Sequence, residues 1–324
     1  MLRARIVGTG SYVPEKVLTN QDLEAMVETS DTWISTRTGI RERRVCVTDT
    51  TADMASKAAK NALKAAGVSP KDIDLIVVGT VTPEMAFPAT ACLVQSDLGV
   101  RSGAAAFDVS AACSGFLYAL DIANKYIKSG EVKKALVIGV DRFSKIIDWK
   151  DRATCVLFGD GAGAVVLSAE KGSKGVLSCH IHSDGKHWDM LYAQNSCPQT
   201  PFEDKEQASP FLKMNGNETF KIAVRTMGNA ITEAMETNGL TADNISLLIP
   251  HQANLRIINA TRDRLKLTDD KVYTNLDRYG NTSAGSIPLA LDEAVRTGKI
   301  KDGDVIVFVS FGGGLTWASA AVKW

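Results

Sequence analysis

Three absences narrow the functional classes open to this sequence. It has no surplus of charge, because 37 lysines and arginines balance 37 aspartates and glutamates, and this argues against broad nucleic-acid binding. No apolar run approaches the roughly 20 residues that a transmembrane helix requires. The first residues indicate a strand and a turn, with no apolar signal-peptide region, so we expect a cytoplasmic protein.

The spacing of cysteine and histidine indicates neither a metal site nor a disulfide framework. The cysteines are scattered and form no CxxC pair, which argues against both and fits a reducing cytoplasm. They are Cys46, Cys92, Cys113, Cys155, Cys179 and Cys197. His180, His182 and His187 lie close in sequence, but no cysteine or carboxylate spacing completes a ligand set. We therefore expect solvated loop histidines and no metal.

A glycine-rich segment at residues 158–163 gives no evident cofactor site. It lacks the Lys-Ser/Thr pair of a phosphate-binding loop and opens no evident helix. Tight backbone packing explains these glycines better, and we expect no bound cofactor.

The 324-residue chain repeats itself. Residues 67–77 and 239–249, which lie 172 positions apart, share a glycine turn followed by an apolar strand. Helices alternating with apolar strands predict α/β layers, and the duplication predicts two similar sheets around a shared helical layer. We divide the chain into an N-terminal half, residues 1–170, and a C-terminal half, residues 171–324. Residues 169–213 are expected to be irregular.

Cys113 stands where a strand passes into a helix. Residues 104–109 predict a buried strand, and the helix that follows has one apolar stripe and ends before Gly130. The stripe consists of Phe116, Leu120, Ala123 and Ile127. Unpaired N–H groups and the dipole at a helix N-terminus favour a thiolate, so we expect a lowered pKa and a nucleophilic role. The alternative is a small apolar side chain that fills a packed turn.

Two further residues can converge with Cys113. His251 follows the apolar strand 246–249, at the carboxyl end where open α/β sheets bind ligands. Asn281 lies in the loop 279–284, ahead of the helix that the repeat matches to the one after Cys113. The residue types do not select one reaction, because Cys, His and Asn also occur together in papain-like hydrolases. Taken alone, the histidine could be a satisfied polar residue and the asparagine a helix cap.

Five motifs carry a resemblance to a known family. They are residues 108–116 (DVSAACSGF), 158–163 (FGDGAG), 251–256 (HQANLR), 280–284 (GNTSA) and 310–314 (SFGGG). Together they resemble β-ketoacyl-acyl carrier protein synthase III, of the thiolase-like superfamily, over essentially the whole chain. The resemblance implies an α/β thiolase-like fold with internally duplicated α-β-α-β-α layers.

The resemblance also implies a reaction in two stages. Cys113 takes an acyl group, with acetyl as the expected primer, from acyl-CoA and holds it as a thioester. Malonyl-acyl carrier protein then loses CO₂, and its enolate attacks the thioester. The product, 3-oxoacyl-acyl carrier protein, would initiate fatty acid synthesis.

Catalytic roles follow from the same resemblance. Cys113 is the nucleophile, and neutral His251 and the amide of Asn281 donate hydrogen bonds to the enolate oxygen. A carboxylate at position 281 would instead repel the developing charge. The backbone N–H groups of Cys113 and Gly313 would form the oxyanion hole for the acyl carbonyl, because the glycines 312–314 let the backbone come close.

A substrate entrance and a homodimer are implied as well. The residues carried over are Trp33 and Arg152 at the CoA adenine, Arg37 near the nucleotide, Asn254 at the pantetheine or a water beside His251, Phe158 against Cys113, and Phe87 in the partner subunit's acyl pocket. Core packing is an alternative for Phe87. The basic stretch 37–44 is either an anion-binding lip, since guanidinium groups suit phosphates, or a solvated loop.

Basic residues in the second half predict a docking surface for the acidic carrier protein. Lys221, Arg256 and Arg264 are expected to contact it, because charges at an interface rim steer encounter. A solvated face is the alternative, and Asp263 stands where members of the family often carry a basic residue.

Other activities compete with this prediction. A related condensing enzyme could use CoA thioesters at both steps or serve a specialised pathway. A Cys-His-Asn hydrolase would release free acid from acyl-CoA, but it gives no reason for the motifs 251–256 and 280–284. A non-catalytic binding relative would not need to retain Cys113, His251 and Asn281 together.

Overall fold

The computed structural model describes residues 2–194 and 209–324. Its strands are β1 (Leu2–Tyr12), β2 (Val17–Thr19), β3 (Glu42–Arg44), β4 (Leu75–Gly79), β5 (Ala105–Val109), β6 (Lys134–Arg142), β7 (Asp160–Lys171), β8 (Gly175–Ser183), β9 (Leu191–Tyr192), β10 (Lys213–Met214), β11 (Leu247–Pro250), β12 (Val305–Gly312) and β13 (Thr316–Lys323). Its helices are α1 (Asn20–Glu24), α2 (Asp31–Thr38), α3 (Thr51–Ala66), α4 (Thr90–Leu98), α5 (Gly115–Ser129), α6 (Arg152–Cys155), α7 (Gly216–Thr237), α8 (Leu255–Arg264), α9 (Leu276–Tyr279) and α10 (Ser286–Arg296).

Local signals set the ends of the main helices. Thr50 and Asp53 form a capping box at the start of α3, in which each side chain bonds the other residue's backbone N–H. Gly67 ends α3 at a φ of 62°, and Gly130 ends α5 at a φ of 86°. Both values lie in the left-handed region that glycine adopts at little cost, and the predicted end of the helix before Gly130 is confirmed.

Two sheets repeat one topology. The first has the strand order β1-β7-β6-β4-β5, and the second has the order β11-β12-β13-β8. In each, a parallel pair (β4 with β6, β11 with β12) is extended by two antiparallel strands. The counterpart of β5 is reduced to a single parallel bridge between Leu248 and Val272. The duplication predicted from the sequence is therefore present in the strand order.

Helices α5 and α10 form the central layer between the two sheets. Their apolar side chains share one core with residues of both sheets, and the predicted stripe of α5 is fully part of it. Helices α3 and α4 cover the outer face of the first sheet, and α7 and α8 cover the outer face of the second. The resulting order is α-β-α-β-α. A 3₁₀ turn precedes each central helix, at Ala112–Ser114 before α5 and at Ser283–Gly285 before α10.

Two expectations about local structure are wrong. Strand β5 is half-buried and not buried, because it lies at the edge of its sheet. Residues 175–183, expected to be irregular, form β8, because β13 supplies a pairing partner far along the chain. His180 and His182 lie on this strand and contact the Glu233 carboxylate, so they are not loop histidines.

The basic stretch 37–44 contains one residue that fits neither interpretation made from the sequence. Arg43 is 0% exposed. Its guanidinium donates hydrogen bonds to the carbonyl oxygen of Val156 at 2.7 Å and to Asn20 Oδ1 at 2.8 Å. This side chain therefore cross-links loops inside the protein and is unavailable to solvent or to an anion.

No helix among the described residues is long and apolar enough to cross a bilayer. In the same residues, no group of three or more potential ligand side chains is arranged to hold a metal ion. The cysteines at positions 46, 92, 113, 155 and 179 are free, and Cys197 lies outside the described residues.

Candidate active site

One cavity brings Cys113, His251 and Asn281 together. Each arrives at the end of a different element: Cys113 in the turn before α5, His251 directly after β11, and Asn281 just before the turn that opens α10. Apolar side chains supply most of the remaining wall. They include Leu157, Phe158, Leu191, Met214, Phe220, Ala223, Met227, Ile257 and Phe311.

The Cys113 side chain is buried at the wall of the cavity, and this changes its expected acidity. Burial raises the pKa of the Cys113 thiol to about 12; the nearby Ser283 hydroxyl acts to lower this pKa, and the negative charge of Asp141 acts to raise it. The predicted lowering of this pKa is therefore wrong. The reason is physical: desolvation of a buried thiolate outweighs the helix dipole. Cys113 also lies in the 3₁₀ turn Ala112–Ser114 and not in the first turn of α5 itself.

His251 is held as a neutral imidazole. It is 2% exposed, and burial lowers its pKa to about 3. Its Nδ1 lies 2.7 Å from the hydroxyl of Ser286, the first residue of α10. The backbone N–H of Gln252 donates to the same hydroxyl oxygen at 3.5 Å, which leaves the hydroxyl proton available, and we assign it to the hydrogen bond with Nδ1. The ring proton then sits on Nε2, where it can be donated.

The Asn281 side chain has a fixed orientation. Its Oδ1 accepts the backbone N–H of Ser283 at 2.8 Å. Its backbone pairs with the segment before β7, through the carbonyl oxygen of Leu157 and the N–H of Gly159. Because the oxygen is engaged by the turn, the NH₂ group is the end of the amide that can donate to a ligand in the cavity.

The end of β12 packs directly on the nucleophile. A Cβ added to Gly312 would lie 2.7 Å from the backbone nitrogen of Cys113, closer than any side chain tolerates. Gly313, which the family resemblance assigns to the oxyanion hole, would bring a Cβ within 2.6 Å of the Leu191 carbonyl oxygen. Glycine is thus required at both positions, while the oxyanion role of the Gly313 N–H stays a prediction.

Three residues predicted to bind CoA meet at the surface. The guanidinium carbons of Arg37 and Arg152 each lie 4.9 Å from the centre of the Trp33 ring. Asn254, which lines the cavity, caps α8 through its Oδ1 and donates its NH₂ to the Arg37 carbonyl oxygen at 3.2 Å. We call the group formed by Trp33, Arg37 and Arg152 the arginine lip. Asn254 therefore links the arginine lip to the cavity. Phe158 lines the cavity beside Cys113 and stacks on Phe143.

Phe87 lies apart from the cavity. It is 84% exposed, on the loop between β4 and α4, so the alternative of core packing is excluded within this chain. Its proposed place in a partner's pocket stays a prediction.

The predicted docking residues lie on α7 and α8. Arg256 covers the ring of Phe220, a cavity-lining residue, at 5.3 Å. Lys221 pairs with Glu218, and Arg264 donates to Asn229 further along the same face. Arg256 is thus the member of this set nearest the cavity mouth.

Sequence reasoning missed three polar residues beside the site. Ser286 orients His251, while Ser283 and Asp141 lie near enough to Cys113 to shift the pKa of its thiol. A signal existed for Asp141, because an acidic residue at the end of the apolar run 135–140 is unusual in a buried strand.

Comparisons with known proteins agree over the whole chain. Family models described as 3-oxoacyl-(acyl-carrier-protein) synthase III match residues 107–185, and the corresponding C-terminal model matches residues 235–324. A β-ketoacyl-(acyl-carrier-protein) synthase III of Caldanaerobacter subterraneus is 54% identical over 100% of this chain and 98% of its own length.

Solved structures show the same relationship. The 3-oxoacyl-(acyl-carrier-protein) synthase III of Aquifex aeolicus is 48% identical, with a TM-score of 0.93 over 99% of this chain and 100% of that one. The priming β-ketosynthase of a polyketide biosynthetic pathway is 37% identical, with a TM-score of 0.92 over 99% and 96% of the two chains. The predicted thiolase-like fold is confirmed, and the chain belongs to the β-ketoacyl-acyl carrier protein synthase III family of acyltransferases.

Proposed function

We propose that this chain joins an acyl-CoA primer to malonyl-acyl carrier protein by a decarboxylating Claisen condensation and so initiates fatty acid synthesis. The observation that carries the proposal is the shared cavity, which a thiol, a neutral imidazole and a carboxamide all line. A Cys-His-Asn hydrolase needs a histidine that takes up the thiol proton. The pKa of His251, lowered by burial to about 3, suits a hydrogen-bond donor instead.

In the first stage, the sulfur of Cys113 attacks the thioester carbonyl of the primer. The new C–S bond gives an acyl-enzyme, and CoA leaves as a thiol. The backbone N–H of Cys113 and that of Gly313 are the proposed donors to the carbonyl oxygen. The apolar wall formed by side chains such as Phe158 and Phe311 suits an alkyl chain and excludes water that would hydrolyse the thioester.

In the second stage, loss of CO₂ from the malonyl group places negative charge on its thioester oxygen. His251 Nε2–H and the Asn281 NH₂ group are the proposed donors to this oxygen. Both donors are uncharged. Ser286 and the turn at Ser283 already hold the two groups in place, so little reorganisation is needed as the charge develops on the oxygen. The enolate carbon then attacks the acyl thioester and releases the sulfur.

The arginine lip around Trp33 is the proposed site for the nucleotide of CoA. Guanidinium groups bind phosphate and also stack on aromatic rings. Asn254 ties the lip to the cavity wall, so the path from the lip to Cys113 suits the pantetheine arm.

Malonyl-acyl carrier protein is proposed to dock on the α7–α8 face through Lys221, Arg256 and Arg264. Reversing the charge of Arg256 with Arg256→Glu should raise the KM for malonyl-acyl carrier protein and spare that for acyl-CoA. Lys64→Glu, an exposed change on the opposite outer layer, is the control and should alter neither. An equal rise in both KM values for Arg256→Glu would contradict docking at this face.

We also propose that the protein is a homodimer of the cytoplasm. Strand β5 leaves one edge of its sheet open, and the nearby loop exposes Phe87. Open edges and exposed aromatic side chains favour a protein partner. Sedimentation should give twice the mass of the chain, and Phe87→Asp should shift it toward the monomer. A wild-type monomer would contradict the dimer. The CoA and carrier-protein substrates and the free thiols support the cytoplasm.

A single experiment separates the proposed function from its competitors. The protein is mixed with acetyl-CoA, examined by mass spectrometry, and then given malonyl-acyl carrier protein or malonyl-CoA. We expect an acyl adduct on Cys113 and a 3-oxoacyl product from the carrier protein. Cys92→Ala, on an outer helix, should behave as wild type, and Cys113→Ala should form no adduct. Release of free acid would favour a hydrolase, and an equal rate with malonyl-CoA would favour a carrier-independent condensing enzyme.

A further inference from the structure

Asp141 is a buried acid that neither stage of the reaction uses. It lies near the end of β6 and is 0% exposed. Within the described residues, the hydrogen bonds that it accepts come from neutral groups, namely the hydroxyls of Thr80 and Thr82 and the backbone N–H groups of Val81 and Ala284. Burying a carboxylate without a compensating cation is costly, so this set of donors calls for an explanation.

The internal duplication gives the turn that carries Cys113 a counterpart in the second half. The turn Ala112–Ser114 opens α5, and the turn Ser283–Gly285, the counterpart turn, opens α10. Each begins with a residue in the left-handed region, at a φ of 47° in the first and 51° in the second. Ala284, 171 positions after Cys113, therefore occupies the place of the nucleophile in the counterpart turn.

The strands that pack on the two turns also correspond. Strand β12 packs on the turn of Cys113, and β6 packs on the counterpart turn. In the two sheets, β6 lies between β7 and β4, and β12 lies between β13 and β11. Both strands begin 171 positions apart, so Asp141 near the end of β6 corresponds to Gly312 at the end of β12.

The two places differ in what meets the backbone N–H of the turn. At the active site, Gly312 puts no side chain beside the nitrogen of Cys113, whose N–H is the proposed donor to the acyl carbonyl oxygen. At the counterpart turn, Oδ2 of Asp141 accepts the N–H of Ala284 at 3.2 Å. The carboxylate oxygen thus stands where an acyl oxygen would stand. Aligned neutral donors of this kind hold negative charge without a cation, which explains how the acid is tolerated.

The other reactive groups are replaced at the counterpart turn. Strands β4 and β11 begin at positions 75 and 247, so Gly79 corresponds to His251. A Cβ on Gly79 would lie 2.4 Å from the carbonyl carbon of Gly115, which leaves no room for an imidazole. Ser110 corresponds in the same way to Asn281. With alanine, glycine and serine in these places, the function of Asp141 lies in what it holds and not in a second reaction.

The counterpart turn carries both proposed donors of the condensation stage. Its first N–H is accepted by Oδ1 of Asn281 at 2.8 Å. Directly after it, the hydroxyl of Ser286 lies 2.7 Å from Nδ1 of His251. Between these two contacts, the N–H of Ala284 is bound by Asp141. The other carboxylate oxygen is fixed to the loop after β4, at 2.8 Å from one backbone N–H and at 3.0 and 3.1 Å from two hydroxyls.

Resting on the proposed function, we propose that Asp141 is a positioning residue for the condensation stage. Its carboxylate fills the counterpart of the oxyanion hole and so fixes the turn from which Asn281 and His251 are held. Acyl transfer to Cys113 does not use these two donors, so Asp141 is not needed for that stage.

The variant Asp141→Asn keeps the shape of the side chain and removes one acceptor. If the amide oxygen faces the loop after β4, the NH₂ group faces the N–H of Ala284, and two donors oppose each other. If the amide is turned round, the NH₂ group faces the N–H of Val81 instead. In both orientations a buried backbone N–H loses its partner, so the counterpart turn is no longer fixed as in wild type.

The rates of the two stages, measured separately, test the proposal. Acyl adduct on Cys113 is followed by mass spectrometry after mixing with acetyl-CoA, and release of labelled CO₂ is followed after adding malonyl-acyl carrier protein. We expect Asp141→Asn to slow CO₂ release about ten- to hundredfold, because misplaced donors stabilise the enolate poorly. Acyl transfer should be at least as fast as in wild type, because a negative charge that acts to raise the pKa of the Cys113 thiol is removed.

The opposite pattern would overturn the proposal. A slowing of acyl transfer equal to or greater than that of CO₂ release would do so, and so would CO₂ release at the wild-type rate. Absence of an adduct in the wild-type protein would overturn the proposed function and this proposal with it. If Asp141→Asn does not fold, Thr80→Val replaces it, because it removes one hydroxyl donor at 3.1 Å and should also slow CO₂ release more than acyl transfer.

A matched control and a double variant separate positioning from general loosening. Asp121→Asn makes the same substitution at another carboxylate of low exposure, 2% exposed on α5, and should leave the ratio of the two rates unchanged. In the Asn281→Ala background, Asp141→Asn should slow CO₂ release by a smaller factor than in wild type, because one of the groups that it holds is already gone. The full factor in both backgrounds would overturn the action through Asn281.

Discussion

Replacing Asn281 with aspartate changes the second stage at a position whose orientation the structure fixes. The oxygen that accepts the Ser283 N–H at 2.8 Å is present in both residues, so Asn281→Asp retains the turn. The NH₂ group toward the cavity becomes a carboxylate oxygen. The substitution therefore removes one donor to the enolate and places a negative charge beside it, with little change in shape.

The magnitude can be worked from these two effects. Loss of one oxyanion donor costs about 3 kcal/mol, roughly a hundredfold in rate. Two unit charges about 3 Å apart at an effective dielectric of about 20 repel each other by about 5 kcal/mol. Asn281→Asp should thus be slower than Asn281→Ala, which loses only the donor. Burial raises the pKa of an introduced carboxyl group. Below that pKa the group is neutral and can donate again, so activity recovers as the pH falls.

The assay is the release of labelled CO₂ from malonyl-acyl carrier protein between about pH 5 and 8. Asn281→Ala is the control and should remain slow without acid recovery. Both variants should still form the acyl adduct on Cys113, because Asn281 acts after acyl transfer. The reasoning would be refuted if the two variants gave the same rate at every pH, or if either decarboxylated malonyl groups as fast as wild type.

Three further outcomes are expected. Because His251 has a pKa of about 3 when folded against 6.5 ordinarily, the unfolded chain binds a proton that the folded chain does not. The free energy of unfolding should therefore fall by about 2 kcal/mol between pH 6.5 and 5, and chemical denaturation should show this fall missing in His251→Asn. A Cβ on Gly139 would lie 2.1 Å from the Ala284 carbonyl oxygen, so Gly139→Ala should cost about 1–3 kcal/mol in the same assay, whereas Gly185→Ala, which meets nothing within 4 Å, should not. Trp33→Ala should raise the KM for acyl-CoA about tenfold or more by loss of base stacking and spare that for an acyl-pantetheine thioester; an equal rise for both would contradict a nucleotide site.

The duplication could be predicted from the sequence because turn and strand signals are local. Gly67 and Gly239 both adopt a φ of 62°, and the strands β4 and β11 begin at positions 75 and 247, at the offset read from the sequence. Local signals of the same kind placed Cys113, His251 and Asn281 at the ends of helices and strands. Their meeting in one cavity follows from the packing of the two repeated sheets around the shared layer of α5 and α10.

What the sequence did not reveal depends on contacts between distant segments. The raised pKa of Cys113 arises because Gly312 and the turn at Ser283 close over the sulfur, and no local pattern reports that burial. Arg43 looked exposed among its charged neighbours, but its guanidinium is buried and donates hydrogen bonds to the carbonyl oxygens of Leu18 and Val156. Likewise β8 is a strand because β13, more than a hundred residues later, pairs with it.

The central layer of α5 and α10 has a consequence for dissection of the protein. A chain cut between β7 and β8 would yield one fragment with the sulfur and one with the imidazole and the carboxamide. Neither fragment alone could make a carbon–carbon bond. Activity regained on mixing them would require the two helices to repack against each other, and its concentration dependence would measure the affinity between the duplicated units.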